Sequence, residues 1–333
     1  MRAFVDHALR SLLRRAEQQG GCVTLAQAWT AGLTPAEVST LLRRGVVTSP
    51  RSGVLALAPS PSVGALDPGA ACTLEPALLR HPDAAASHET AARAWELPLI
   101  GRSVGAPQTL TRPGTRPRTP ASAVHGRVLT STLPPGHVVR REPWLPATSP
   151  ARTVVDLART RGVEDGVVAA DAAAYAGLLD RDSLGAVLED CRHFPGIGRG
   201  SQVLTYLDPR AESPLESLSR LRLRAQGLEL ETQVTITDPQ GRFVARVDFL
   251  LDGCVIGEAD GRGKYSTPAD LWAEKQREDG ARALGFGVVR WGWDDMWLRS
   301  HGLASQMLAA RANVGRIVPG VRLDGSLVIR RAG

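Results

Sequence analysis

A multidomain α+β chain is the fold class the sequence predicts, and three observations carry that expectation. With 333 residues, 43% of them hydrophobic, the chain is long enough for two or three cores. The hydrophobic spacing changes along it, from helical in residues 1–45 to strand-like around residues 242–291. Residues 59 to about 72 form a connector rich in Pro, Gly, Ser and Ala. The divisions expected are 1–58, 59–207 and 208–299, followed by a helix and basic tail over 300–333.

Composition narrows the partners. No run approaches the roughly 20 apolar residues that span a bilayer, so no membrane partner is expected. The N-terminus, MRAFVDHALRSLLRRAEQQGG, alternates apolar and charged residues and does not read as a signal peptide. Cys22, Cys72, Cys191 and Cys254 form no C-x-x-C pair, which points to reduced thiols in a cytoplasm. A net charge of +6 suits a polyanionic partner, with nucleic acid first.

The first helix carries Phe4, Ala8, Leu12, Leu13 and Ala16 on one side and ends at Gly20-Gly21. A second begins at Thr24, with Leu25, Ala28 and Trp29 inward, and ends at Gly32. For the third, Thr34 caps, Pro35 suits the first helical position and Glu37 completes a capping box. Val46–Thr48 and Val54–Leu57, joined by residues 49–53, then read as a hairpin with a basic tip. Three helices and a hairpin in this order form a winged-helix layout. There the third helix enters the major groove and the wing touches backbone, which makes Ser39, Thr40, Arg43, Arg44, Arg51 and Ser52 the expected DNA contacts. A protein-docking role for the same fold stays open.

The middle region is expected to be α/β. Residues 87–95 read as helix, and 108–111, 124–129 and 138–141 as strands. Ser149 and Pro150 open another helix, and further helices follow around 163–179, 183–192 and 201–207. Gly196-Ile197-Gly198-Arg199-Gly200 lacks the preceding strand and the Gly-Lys-Ser/Thr ending of a phosphate loop, so it reads as a linker between helices. Near Asp208-Pro209 the last domain begins, and Ser213-Pro214-Leu215-Glu216 repeats the cap, proline and capping-box pattern and opens a helix there.

Residues 242–291 read as strand, turn, strand, helix, strand and hold the chemistry. Lys264 and Lys275 are the only lysines among 40 basic residues. A compact ammonium differs from guanidinium in reach and hydration, so both are candidate site residues. On a strand Glu258 and Asp260 share a face. Asp248 joins them if the turn has three residues, Leu251 to Gly253, pairing Leu250 with Cys254 and Asp248 with Ile256. Three converging carboxylates call for a cation, and their oxygens suit Mg²⁺ or Mn²⁺. That makes Asp248, Glu258 and Asp260 the expected metal ligands.

Two resemblances follow. Val247-Asp248-Phe249, Glu258-Ala259-Asp260-Gly261, Glu274-Lys275-x-Arg277-Glu278-Asp279 and Leu284-Gly285-Phe286-x-Val288-Val289-Arg290 resemble the very-short-patch-repair-like branch of the PD-(D/E)XK endonuclease superfamily over about 210–297. The resemblance implies a restriction-endonuclease-like mixed sheet between helices and a Mg²⁺- or Mn²⁺-dependent DNA endonuclease. Asp248, Glu258 and Asp260 would be its metal site and Glu216 an accessory acid, although Glu216 equally suits its capping role. Asp260 stands where the superfamily's E-x-K pattern has lysine, a charge that Lys264 or Lys275 would have to supply. Leu41 to Gly45, Ser52 to Leu57, Ser87 to Ala92 and Thr148 to Leu157 resemble AbiEi-type antitoxins of bacterial phage defence. That implies a winged-helix DNA-binding regulator with a second α/β domain, and a cognate toxin or defence-system protein as partner. On this reading the chain is a non-enzymatic repressor.

Overall fold

The computed structural model describes residues 2–18, 21–57, 74, 77–78, 81–101, 108–114, 121–123, 126–142, 145–260 and 278–325. The fold is α+β and multidomain, with three sheets among these residues. The chain divides into two compact units, Met1–Ala170 with Leu178–Thr205 and Asp171–Gly177 with Tyr206–Gly333.

The first unit opens with helices Arg2–Gln18, Leu25–Thr30 and Pro35–Arg43. Strands β1 (Cys22–Thr24), β2 (Thr48–Arg51) and β3 (Val54–Ala56) form an antiparallel sheet in the order β1-β3-β2. Each of the two later helices starts on a threonine whose side chain accepts the N–H three residues on, while Gln27 or Glu37 reaches back to the threonine N–H. These reciprocal bonds satisfy helix-end donors and fix both starting points. Ala8, Leu12, Ala16, Val23, Ala28, Leu33, Val38, Val47 and Leu55 form the core beneath. Two expectations need correction. Trp29 faces outward, because Ala28 fills the buried position of its short helix. The hairpin turn is tighter than residues 49–53: Arg51 pairs with Val54, leaving Ser52 and Gly53, whose φ of +83° favours glycine, at the tip.

Beyond residue 81 the same unit holds a six-stranded mixed sheet, ordered β6-β7-β5-β4-β9-β8. Its strands are β4 (Ala85–Ala86), β5 (Gln108–Pro113), β6 (Ala121–Ala123), β7 (Gly126–Ser131), β8 (Val138–Glu142) and β9 (Leu145–Thr148). Ser149 caps helix Pro150–Arg161 by accepting the Arg152 N–H at 3.2 Å. Under this helix lies a closed polar knot. Arg152 Nε donates to Asp156 Oδ2 at 2.9 Å, Nη1 donates to the Thr132 carbonyl at 3.0 Å and Nη1 lies 3.2 Å from His137 Nδ1. The guanidinia of Arg152 and Arg159 also flank the Phe194 ring, at 5.1 and 4.7 Å from its centroid. The glycine-rich segment is not a linker: helix Ile197–Tyr206 includes Gly198 and Gly200. Gly200 packs so closely that a Cβ there would lie 2.7 Å from Leu188 Cδ2.

The second unit is a five-stranded mixed sheet ordered β13-β12-β11-β10-β14, from strands β10 (Leu230–Thr237), β11 (Phe243–Leu251), β12 (Val255–Ala259), β13 (Gly287–Trp291) and β14 (Arg322–Asp324). Neighbours run antiparallel except β12 and β13, which are parallel. The chain beyond residue 300 contributes to this unit: helix Ser300–Asn313 packs on β12 and β13, and β14 extends the sheet at β10. Trp291 stacks on Phe249 at 5.6 Å and donates its indole N–H to Ser219 on helix Pro214–Ala225 at 2.8 Å. Gly257 lies under that ring, where a Cβ would come within 2.6 Å of it.

Candidate functional site

The β11–β12 hairpin positions the acidic residues. Its turn has three residues, shifted by one from the expected Leu251–Gly253: Leu251 pairs with Val255 and Leu250 with Ile256, leaving Asp252, Gly253 and Cys254 in the loop. The shift places Asp252 (φ +49°) and Gly253 (φ +67°) at the left-handed positions, which glycine and short polar residues tolerate best. It moves the register by two residues, so every side chain keeps its expected face. Phe249 opposite Gly257 sets Asp248 beside Glu258 across the strands. Asp248 Oδ2 accepts the Ala259 N–H at 2.8 Å, which orients the carboxylate.

Asp248, Glu258 and Asp260 therefore line one cavity of about 290 Å³. Three further charged residues line it, Arg246, Glu278 and Arg290, and none of these three was among the expected site residues. Arg290 Nη2 lies 3.0 Å from Glu278 Oε2, and Arg282 Nη2 lies 2.7 Å from Oε1 of the same carboxylate. Arg246 Nη2 pairs with Glu212 at 2.6 Å. The parallel register of β12 and β13 sets Arg290 directly beside Glu258, a neighbour relation invisible to sequence spacing. Phe243, 63% exposed, stands among the lining residues.

Glu216 is buried at the start of helix Pro214–Ala225, outside that lining. Ser213 caps the helix, but Glu216 does not close the expected box. Its Oε2 accepts the Glu212 N–H at 3.0 Å and the Gln233 side-chain amide at 2.8 Å. The register on either side places Gln233 across from Asp248, at a φ of +55°. Glu216 thus reaches the strand position facing Asp248 through Gln233. Lys264 and Lys275 lie outside the described residues.

Carboxylate oxygens are the donors that Mg²⁺ and Mn²⁺ prefer, and the face holding Asp248, Glu258 and Asp260 suits them chemically. Among the described residues no three His, Cys, Asp or Glu side chains are gathered closely enough to hold an ion.

On the winged helix, Ser39, Arg43, Arg44 and Ser52 are exposed and Thr40 is half-buried. Thr40 Oγ1 donates to the Ala36 carbonyl at 2.9 Å and accepts from Arg43 Nη2 at 3.2 Å, which steadies the arginine along the helix. Arg51 ends strand β2; its side chain lies outside the described residues. No described helix is long and apolar enough to cross a membrane.

These elements define a multidomain α+β protein with an N-terminal winged helix and a charged cavity on the five-stranded sheet of its second unit. The chain is 30% identical over 197 residues to Uncharacterized protein Rv2248 of Mycobacterium tuberculosis strain H37Rv and to Uncharacterized protein MT2308 of strain CDC 1551, covering 59% of this chain and 70% of each relative. It belongs to the family of these mycobacterial proteins. No protein-family model matches the chain. Among solved structures, the crystal structure of the RV2827C protein from M. tuberculosis is 20% identical with a TM-score of 0.39, over 66% of this chain and 80% of that one.

Proposed function

We propose that this chain is a DNA-binding protein whose second unit is a Mg²⁺- or Mn²⁺-dependent DNA endonuclease. The observation that supports it is the convergence on one open cavity of Asp248 from β11, Glu258 from β12 and Asp260 just beyond the end of β12, beside arginines. Like charges are gathered on a face this way at a cost unless a cation or substrate offsets them. A divalent ion bound there would acidify a water and offset charge on the scissile phosphate. Because no three described acidic side chains stand close enough to form an ion site by themselves, Asp248, held by the Ala259 N–H, Glu258 and Asp260 would share that ion with water and the DNA phosphate, while the exposed face of helix Pro35–Arg43 holds duplex DNA through Ser39, Arg43 and Arg44. Purified protein with plasmid and Mg²⁺ or Mn²⁺ is expected to nick it, and the Asp248→Ala/Glu258→Ala protein is not. Equal nicking by both proteins, or none by either across substrates, removes the reading.

A second reading, a non-enzymatic AbiEi-like antitoxin or repressor, draws support from Glu278, whose carboxylate is already neutralised by Arg282 and Arg290. It predicts chelator-insensitive binding to the chain's own promoter, weakened by Arg43→Ala/Arg44→Ala. Equal affinity for unrelated DNA at matched salt counts against it.

A further inference from the structure

Asp248, Glu258, Asp260 and Glu278 make the lining of the cavity predominantly acidic, so a phosphodiester entering it would meet repulsion except beside Arg246 and Arg290. Strand β13 lies beside β12, in parallel, with Arg290 in register with Glu258, and both side chains line the cavity. We propose that Arg290 is the phosphate-binding residue of this cavity, and that Glu278 holds its guanidinium until a DNA phosphodiester displaces it. The proposal rests on the endonuclease reading above.

The chemistry favours binding over proton transfer. A guanidinium stays protonated, so Arg290 neither donates nor removes a proton, but its planar fork matches two phosphate oxygens. The exchange of partners is also mild. Glu278 Oε1 remains bound by Arg282 at 2.7 Å when Oε2 releases Arg290 from 3.0 Å, so neither carboxylate nor arginine is stranded. The Arg290 side chain is 35% exposed, so it reaches the cavity without local unfolding. Arg246, on the same face of β11, offers a second cation on another part of the lining.

The test uses the full chain carrying Arg43→Ala/Arg44→Ala, so that winged-helix contacts are removed. Affinity for a short duplex oligonucleotide is measured by fluorescence anisotropy with and without Mg²⁺, beside plasmid nicking. Arg290→Ala is expected to weaken binding about tenfold, to flatten the dependence of log affinity on log salt by about one unit and to raise KM, with Arg290→Lys restoring part of the loss. Glu278→Gln is expected to tighten binding several-fold, because it removes the carboxylate charge that competes with the phosphate for Arg290. An ion pair serving only as a structural brace would instead make both variants weaker or leave both unchanged, and either pattern overturns the proposal. Asp248-dependent nicking that survives Arg290→Ala at full strength overturns it alone. Absence of both Asp248-dependent nicking and residual duplex binding overturns it together with the endonuclease reading.

Discussion

Two charged clusters in this molecule use similar residues to opposite ends. Around Arg152 in the first unit, arginine and aspartate are each 1% exposed, and the guanidinium spends its donors on Asp156, the Thr132 carbonyl, His137 and Ser131. Around Asp248 in the second unit, carboxylates and arginines from two antiparallel strands, a parallel neighbour and helical residue 278 face an open cavity. Charges whose bonds all turn inward hold architecture together; charges that line open space stay accessible to solutes. The contrast is sharpest in what mutation should do. Arg152→Met leaves Asp156 deep in the interior with Arg159 as its one remaining ion-pair partner among the described residues, and breaking a buried pair this way costs about 3–5 kcal/mol. Urea denaturation should register that loss, while the proposed DNA nicking, measured per folded molecule, should stay unchanged. A loss under about 1 kcal/mol would mean that the knot contributes little beyond packing.

A smaller effect, carried by pH, comes from a buried carboxylate in the second unit. Asp171 accepts the Asp208 N–H and an Arg220 N–H, both at 2.8 Å, yet burial pushes its carboxyl up to about 6 against the pull of Arg220. Because the folded value exceeds the unfolded one, near 3.8, this group's contribution is fully present below pH 4 and is lost as pH rises through about 6. Wild type should therefore lose stability relative to Asp171→Asn between pH 4 and pH 6.5. A relative gain over that window would show that the Arg220 pair outweighs burial.

Next in size is the glycine that links packing to the cavity. Gly257→Ala would place a Cβ 2.6 Å from the Trp291 ring and 3.1 Å from Phe249 Cβ. Overpacking of this kind costs about 1–3 kcal/mol. Because Gly257 directly precedes Glu258, the same change should lower the proposed nicking, whereas Gly166→Ala, whose Cβ would lie 2.7 Å from both Ala158 Cβ and Val203 Cγ2 in the first unit, should destabilise without that effect.

What was legible in the sequence was local. Thr34, Pro35 and Glu37 announced their helix because a capping box is complete within four residues, and the winged-helix order followed from such signals in succession. The shared face of Asp248, Glu258 and Asp260 was legible because strand parity survives a two-residue error in register. What the sequence hid is non-local. Arg290 meets Glu258 only through a crossover that aligns two parallel strands, and Arg152 meets His137 and Phe194 through packing across many residues. Glu216 shows the same limit: its spacing matched a capping box, but the fold brought Gln233 within reach of the carboxylate instead.

The smallest expected change in stability sharpens the contrast most. Asp248→Asn keeps the side chain's shape and an oxygen able to accept the Ala259 N–H, which it now does at 2.8 Å. Exchanging a charge-assisted hydrogen bond for a neutral one at a half-buried position should cost about 1 kcal/mol or less. The substitution nonetheless removes the negative charge that opposes Glu258 across the strands. Calorimetric titration of Mn²⁺ should show saturable binding to wild type and none to Asp248→Asn, although both unfold at nearly the same urea concentration. Loss of binding together with a large loss of stability would make Asp248 a structural residue like Arg152. Undiminished Mn²⁺ binding would move the ion away from this face, and the carboxylates would then resemble the Arg152 knot more than their open setting suggests.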